Sequence, residues 1–98
     1  MSYSLLATFT ALPGRSEEVA RLIADFAIEV RREEGCLLFE PYTVMDLDHD
    51  FVVFEKYVDE DAFETHLRSP AGPAFNAALE ERVVGTGSIL QLLHEVSE

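Results

Sequence analysis

Ninety-eight residues are enough for one small domain with a single core, and a second core could not be buried in so short a chain. Nineteen acidic side chains stand against seven basic ones, a net charge of -12 that repels nucleic-acid phosphates and anionic lipid surfaces. The cations never cluster beyond Arg31 and Arg32, so no nucleic acid or membrane partner is expected. With 48% hydrophobic residues, including seven Phe and three Tyr but no Trp, the composition suits a packed fold. The single cysteine, Cys36, has no internal partner, and no Cys/His spacing matches a metal site. The N-terminal MSYSLLATFT lacks a positive leader region, and no apolar run nears the ~20 residues of a membrane span. These features lead to the expectation of a cytoplasmic protein.

Ser4 to Leu12 alternates imperfectly, is rich in Leu, Thr and Phe, and stops at Pro13-Gly14, which is the pattern of a first strand and its turn. From Glu17 the period changes. Val19, Leu22, Ile23, Phe26 and Val30 recur at helical spacing, while Glu17, Glu18, Arg21, Asp25, Glu29, Arg32 and Glu33 fall on the outward face. Acidic residues at the start and Arg31 and Arg32 at the end complement the helix dipole, and Gly35 is the expected C-terminal cap.

Cys36 to Met45 and Phe51 to Val58 read as two strands joined through the polar turn DLDHD, a hairpin. Pro41 calls for an edge or a bulge in the second strand. Asp59 is placed to cap a short helix over 60–67, SPAGP interrupts it, and Phe75, Ala78, Leu79 and Val83 mark a third helix. Gly85 to Gly87 release the chain into a last strand, Ser88 to Val96.

This order is that of an α+β, ferredoxin-like split βαβ unit: one domain over 1–98, with an antiparallel four-stranded sheet and helices on one face. Yet the strands are apolar on both faces. Phe51, Val53 and Tyr57 alternate with Val52, Phe54 and Val58, and Leu90 and Leu92 alternate with Ile89 and Leu93. A second copy of the same sheet is the economical cover, so a homodimer with sheets packed face to face is expected.

Taken in order, ALPGRSEEVARLI, REEGCLLFE and FVVFEKYVDEDAFETHLRSP resemble the antibiotic biosynthesis monooxygenase superfamily, which includes small quinol monooxygenases, over about Ser4 to Val96. The resemblance implies a dimeric α+β barrel with a pocket between the sheet and the helices of each protomer. It also implies oxygenation of phenolic or quinol substrates without metal or flavin. Isomerases, haem-degrading enzymes and proteins of unsettled role share the fold.

Within that resemblance His66 matches the histidine of the helix-borne motif, and helical spacing sets it in a row with Ala62 beside Phe63 and Leu67. Imidazole exchanges protons near neutral pH, so His66 is the candidate base that deprotonates a phenol or quinol, whose anion then reduces oxygen. A buried histidine bonded to backbone or a carboxylate is the plain alternative. Glu55, amid apolar neighbours, is costly as an ion unless paired. It is expected either to accept the His66 N–H or to pair with Lys56, Arg68 or a partner-chain cation. Phe39, Tyr42, Phe54, Tyr57 and Phe75 are the candidate aromatic walls, with Tyr42 and Asn76 able to hydrogen-bond a substrate oxygen.

Two features narrow the chemistry. Ser69-Pro70 is not followed by the second histidine common in the motif, and Trp is absent while Asn76 stands near the haem-ligand position, which sets haem degradation aside. His49, in a polar turn, and His94, at the end of the last strand, are not expected to be ligands. The reading is a cofactor-free monooxygenase of a small aromatic or quinol-like molecule using molecular oxygen, with His66 as base and Glu55 positioning it. A non-catalytic ligand-binding or structural dimer and a cofactor-free isomerase are the alternatives.

Overall fold

The alternating apolar runs resolve into one antiparallel sheet in the computed structural model, which describes residues 2–96; Met1 and the last two residues of the expected 1–98 span lie outside it. The elements are β1 (Tyr3–Thr10), α1 (Ser16–Val30), β2 (Cys36–Val44), β3 (Leu47–Tyr57), α2 (Glu60–Arg68), α3 (Ala71–Glu80) and β4 (Ile89–Leu93). The strands lie in the order β2-β3-β1-β4, the ferredoxin-like arrangement, with the hairpin strand β3 beside β1. Among the described residues no helix is long and apolar enough to cross a membrane.

Period-2 geometry divides each strand cleanly. Leu5, Ala7 and Phe9 of β1, Phe39 of β2, and Phe51 and Val53 of β3 turn toward the helices. There Val19, Ile23, Ala27 and Val30 of α1 and Phe75 and Leu79 of α3 close the main core over them. The opposite face carries Leu6, Val52, Phe54, Ile89 and Leu93, and among the described residues no helix covers it. The helices also stop short of β4, so Leu90 and Leu92 on their own side are about half exposed or more, at 48% and 60%.

Several local expectations change: the last strand runs Ile89–Leu93, shorter than Ser88 to Val96, and Val83 lies beyond α3, in a bridge with Ala11. Helix α1 ends at Val30, and residues 31–35 turn back by Arg32 N–H to Glu29 and Glu33 N–H to Val30. Gly35 is therefore not the helix cap. A Cβ there would collide with the Ala62 side chain, so this glycine permits close approach of α2. Strand β3 reaches back to Leu47, which shortens the expected five-residue turn to Met45-Asp46, with Asp46 at φ 69°. Helix α3 starts inside the supposed breaker at Ala71, because Pro73 falls in its first turn, where a missing N–H costs no helical bond.

Pro41 sits in β2, an edge strand of this sheet, as its missing donor requires. Asp59 caps α2, its carboxylate accepting the Ala62 N–H at 2.9 Å.

Candidate active site

Helix α2 is short and polar, and it buries only Phe63 and His66. The cap at Asp59 fixes where the helix starts, and one turn beyond Ala62 the His66 ring enters an aromatic nest. Its centroid lies 5.3 Å from Tyr57, 5.9 Å from Phe26, 6.1 Å from Phe63 and 6.3 Å from Phe39. His66 Nδ1 meets both oxygens of Glu33, at 3.0 and 3.1 Å. An ionised carboxylate only accepts, so the neutral ring carries its proton on Nδ1.

Glu33 is the residue that helical spacing concealed. A helix continued to Gly35 would have turned it outward, but the stop at Val30 swings its carboxylate under α2. The signal in the sequence that points to it is the Glu-Glu-Gly run, where Gly35 gives the α1–β2 turn its close contact with Ala62.

Glu55 projects from the middle of β3 into the helix-covered side, opposite Leu5 and Phe39, and is buried. Its partner is Tyr57, two residues on and on the same face, which donates its hydroxyl to Oε1 at 2.7 Å. The expected bond from His66 to Glu55 is therefore replaced by the one to Glu33. Lys56 points to the other face and pairs with Glu95 at 3.1 Å, so it is not the partner of Glu55 either. Burial pushes the Glu55 carboxyl above the usual carboxylate range. The Tyr57 hydroxyl and the nearby imidazole pull it partly back, and Glu33 adds to the rise. Burial, followed by the Glu55 charge, holds Tyr57 firmly protonated.

Between sheet and helices lies a cavity of about 280 Å³. Phe26, Phe39 and Phe75 supply aromatic wall, with Phe26 and Phe75 stacked at 4.1 Å, and Glu55, His66 and Asn76 supply polar groups. Glu80, Thr86 and Ser88 complete the polar part, and no Lys or Arg belongs to the lining. Among the described residues no buried side-chain nitrogen or oxygen lacks a partner, and His66 Nε2 has no partner among them. Nε2 is thus the nitrogen open to the cavity.

Of the candidates, His66, Glu55, Phe39, Phe75 and Asn76 meet at this cavity. Tyr57 lies behind it, fully buried against the His66 ring and Glu55. Tyr42 and Phe54 are elsewhere. They pair with Val52 and Glu40 on the face turned from the helices, because each is an odd step from an inward neighbour such as Val53. Tyr42 is 57% exposed and hydrogen-bonds Glu40 at 3.0 Å. Phe26, which reads as an ordinary stripe residue of α1, is a wall of the cavity. Among the described residues no three His, Cys, Asp or Glu side chains converge to hold a metal ion.

A family model described as antibiotic biosynthesis monooxygenase matches residues 2–82. No curated protein matches the chain in sequence. Among solved structures it is similar to PA3566 from Pseudomonas aeruginosa, at 25% identity and a TM-score of 0.89, over 98% of this chain and 95% of that one. Rv0793 from Mycobacterium tuberculosis shares 22% identity at a TM-score of 0.90, over 100% and 98% of the two chains. SnoaB, a cofactor-independent oxygenase from Streptomyces nogalater, shares 22% at 0.85, over 99% and 95%. The family match over most of the chain, on a ferredoxin-like sheet with a helix-covered cavity, means that the protein belongs to the antibiotic biosynthesis monooxygenase family.

Proposed function

We propose that the protein is a monooxygenase of a small quinol-type aromatic, with molecular oxygen as its second substrate and no bound cofactor. The observation that carries this reading is the open Nε2 of His66 facing a chamber walled by Phe26, Phe39 and Phe75. A planar ring can lie against such walls, and their apolar atoms keep water from the anion that forms. The lining holds no cation, which favours an uncharged substrate over a carboxylated or phosphorylated one.

His66 Nε2 takes the proton of one ring hydroxyl. The anion passes one electron to oxygen, the resulting ring radical and superoxide combine at a ring carbon, and the peroxide so formed takes the proton back from His66 to become a hydroperoxide. Loss of water from that carbon leaves a carbonyl, so quinol plus oxygen becomes hydroxyquinone plus water, with atoms and electrons balanced. Glu55 and Asn76, on the same cavity, hydrogen-bond the second ring oxygen.

The unit we propose is a homodimer. The uncovered sheet face and the doubly exposed β4 are surfaces that a second copy covers. The free Cys36 and the acidic surface support a cytoplasmic setting without nucleic acid partners.

The test is oxygen uptake with a panel of hydroquinones and naphthols, one oxygen consumed per product. His66→Ala is expected to lose about 10²- to 10⁴-fold in rate, the usual contribution of a positioned base. Absence of uptake across the panel ends the reading, and unchanged uptake in the variant removes His66 as base. Turnover of a tautomerising substrate under argon replaces oxygenation by isomerisation.

A further inference from the structure

We infer that Glu33 is the positioning residue of His66: from the turn after α1 it holds the Nδ1 proton and so presents a bare Nε2 to the cavity. The inference rests on the reading of His66 as the base and names the group that makes it one.

Three observations carry it. Both carboxylate oxygens lie within hydrogen-bond distance of Nδ1, at 3.0 and 3.1 Å, so the contact survives small rotations of either side chain. Glu33 does not belong to the cavity wall, so it acts through the ring and not on the substrate. Finally, the buried carboxylate near the ring, Glu55, already accepts from Tyr57.

The backbone is arranged to hold this pair. Gly35 lies two residues after Glu33, and Ala62 lies one helical turn before His66; Gly35 and Ala62 are so close that a Cβ at position 35 would collide with the Ala62 side chain. A side chain at position 35 would open the gap that Glu33 has to span. The same contact therefore brings together two groups 33 residues apart in the chain.

The tautomer is the point of the arrangement. A neutral imidazole with its proton on Nε2 offers the cavity a donor and takes no proton from a substrate. A neighbouring carboxylate removes that form, because it accepts but never donates. Glutamine at position 33 keeps the shape but does both, so the ring is no longer forced into one form.

The experiment is ¹⁵N NMR of the histidine ring at a pH where the ring is neutral, on the wild type, Glu33→Gln and Glu33→Asp, with the amide spectrum reporting the fold. The wild type is expected to show His66 protonated at Nδ1 and bare at Nε2. In Glu33→Gln a population protonated at Nε2 appears, whereas Glu33→Asp, which keeps a carboxylate, retains the wild-type form. With an active substrate, Glu33→Gln lowers kcat about 10- to 100-fold, as loss of a group that orients another does, with little change in KM. A neutral wild-type ring protonated at Nε2 overturns the inference. So does a tautomer unchanged in Glu33→Gln. If the tautomer shifts as expected while no quinol is oxidised by the wild type, Glu33 retains its role and the monooxygenase reading alone falls.

Discussion

Tyr57 and Glu55, two residues apart on β3, point to the same side of the sheet and share a 2.7 Å hydrogen bond inside the protein. The tyrosine donates and stays protonated. The glutamate is thereby satisfied at one oxygen, and the residue also lines the cavity. A pair of this kind keeps a polar group in an apolar chamber at tolerable cost, since an unsatisfied one costs about 1–3 kcal/mol.

Stability is expected to depend on pH through Glu55. Its carboxyl is raised in the folded protein by burial, so above the ordinary carboxylate value of 4.5 the folded chain holds a proton that the unfolded chain has released. Stability is full below that value and falls as pH rises through the folded value. Glu55→Gln has no such proton, so its urea midpoint stays flat where the wild type declines. Tyr57→Phe removes the hydroxyl that pulls Glu55 down, which moves the decline to higher pH and lowers stability by about 1–3 kcal/mol. Parallel declines in the wild type and Glu55→Gln contradict this.

Gly35→Ala is expected to destabilise the fold by about 1–3 kcal/mol, the usual cost of overpacking, because the new Cβ meets that of Ala62. Ala62→Gly in the same chain removes the opposing atom. Although a helical glycine costs about 1 kcal/mol by itself, the double variant should be more stable than the sum of its parts predicts. Additive denaturation energies would show that the two positions do not touch.

Phe75→Ala opens the wall beside Phe26 and deletes their stacked contact. A loss of about 3–5 kcal/mol is expected for a buried Phe. If the variant folds, its preference in the oxygen-uptake panel shifts from one-ring toward larger substrates. The readout is the ratio of kcat/KM between a hydroquinone and a naphthol.

The uncovered sheet face predicts the effect of a charge at its centre. Phe54, beside Leu6 and Glu40, is expected to lie in the dimer interface. Burying a large apolar side chain is worth about 1.5–3 kcal/mol, so Phe54→Asp weakens association by about 10- to 100-fold or more. Sedimentation velocity reads this directly: wild-type dimer, variant monomer. A wild type that sediments as a monomer at every concentration defeats the proposed interface.

Periodicity in the sequence was sufficient for the elements, the split βαβ order and the two apolar sheet faces, because side-chain direction follows directly from a period of 2 or 3.6. It also marked His66 and Glu55 as polar groups among apolar neighbours. Chain ends of elements were less legible. Helix α1 stops at Val30, not at Gly35, because residues 31–35 turn back toward α2, and spacing along one helix carries no information about contact with another.

Tertiary structure alone decided which carboxylate serves which group. Glu33 reached His66, and Glu55 reached Tyr57, through approaches between segments that one-dimensional patterns do not encode. It also put Tyr42 and Phe54 on the uncovered face, since a one-residue step along a strand reverses a side chain whatever its chemistry. Composition and spacing supplied the inventory of groups; the close contact of Gly35 with Ala62 and the pleat of β3 determined their partners.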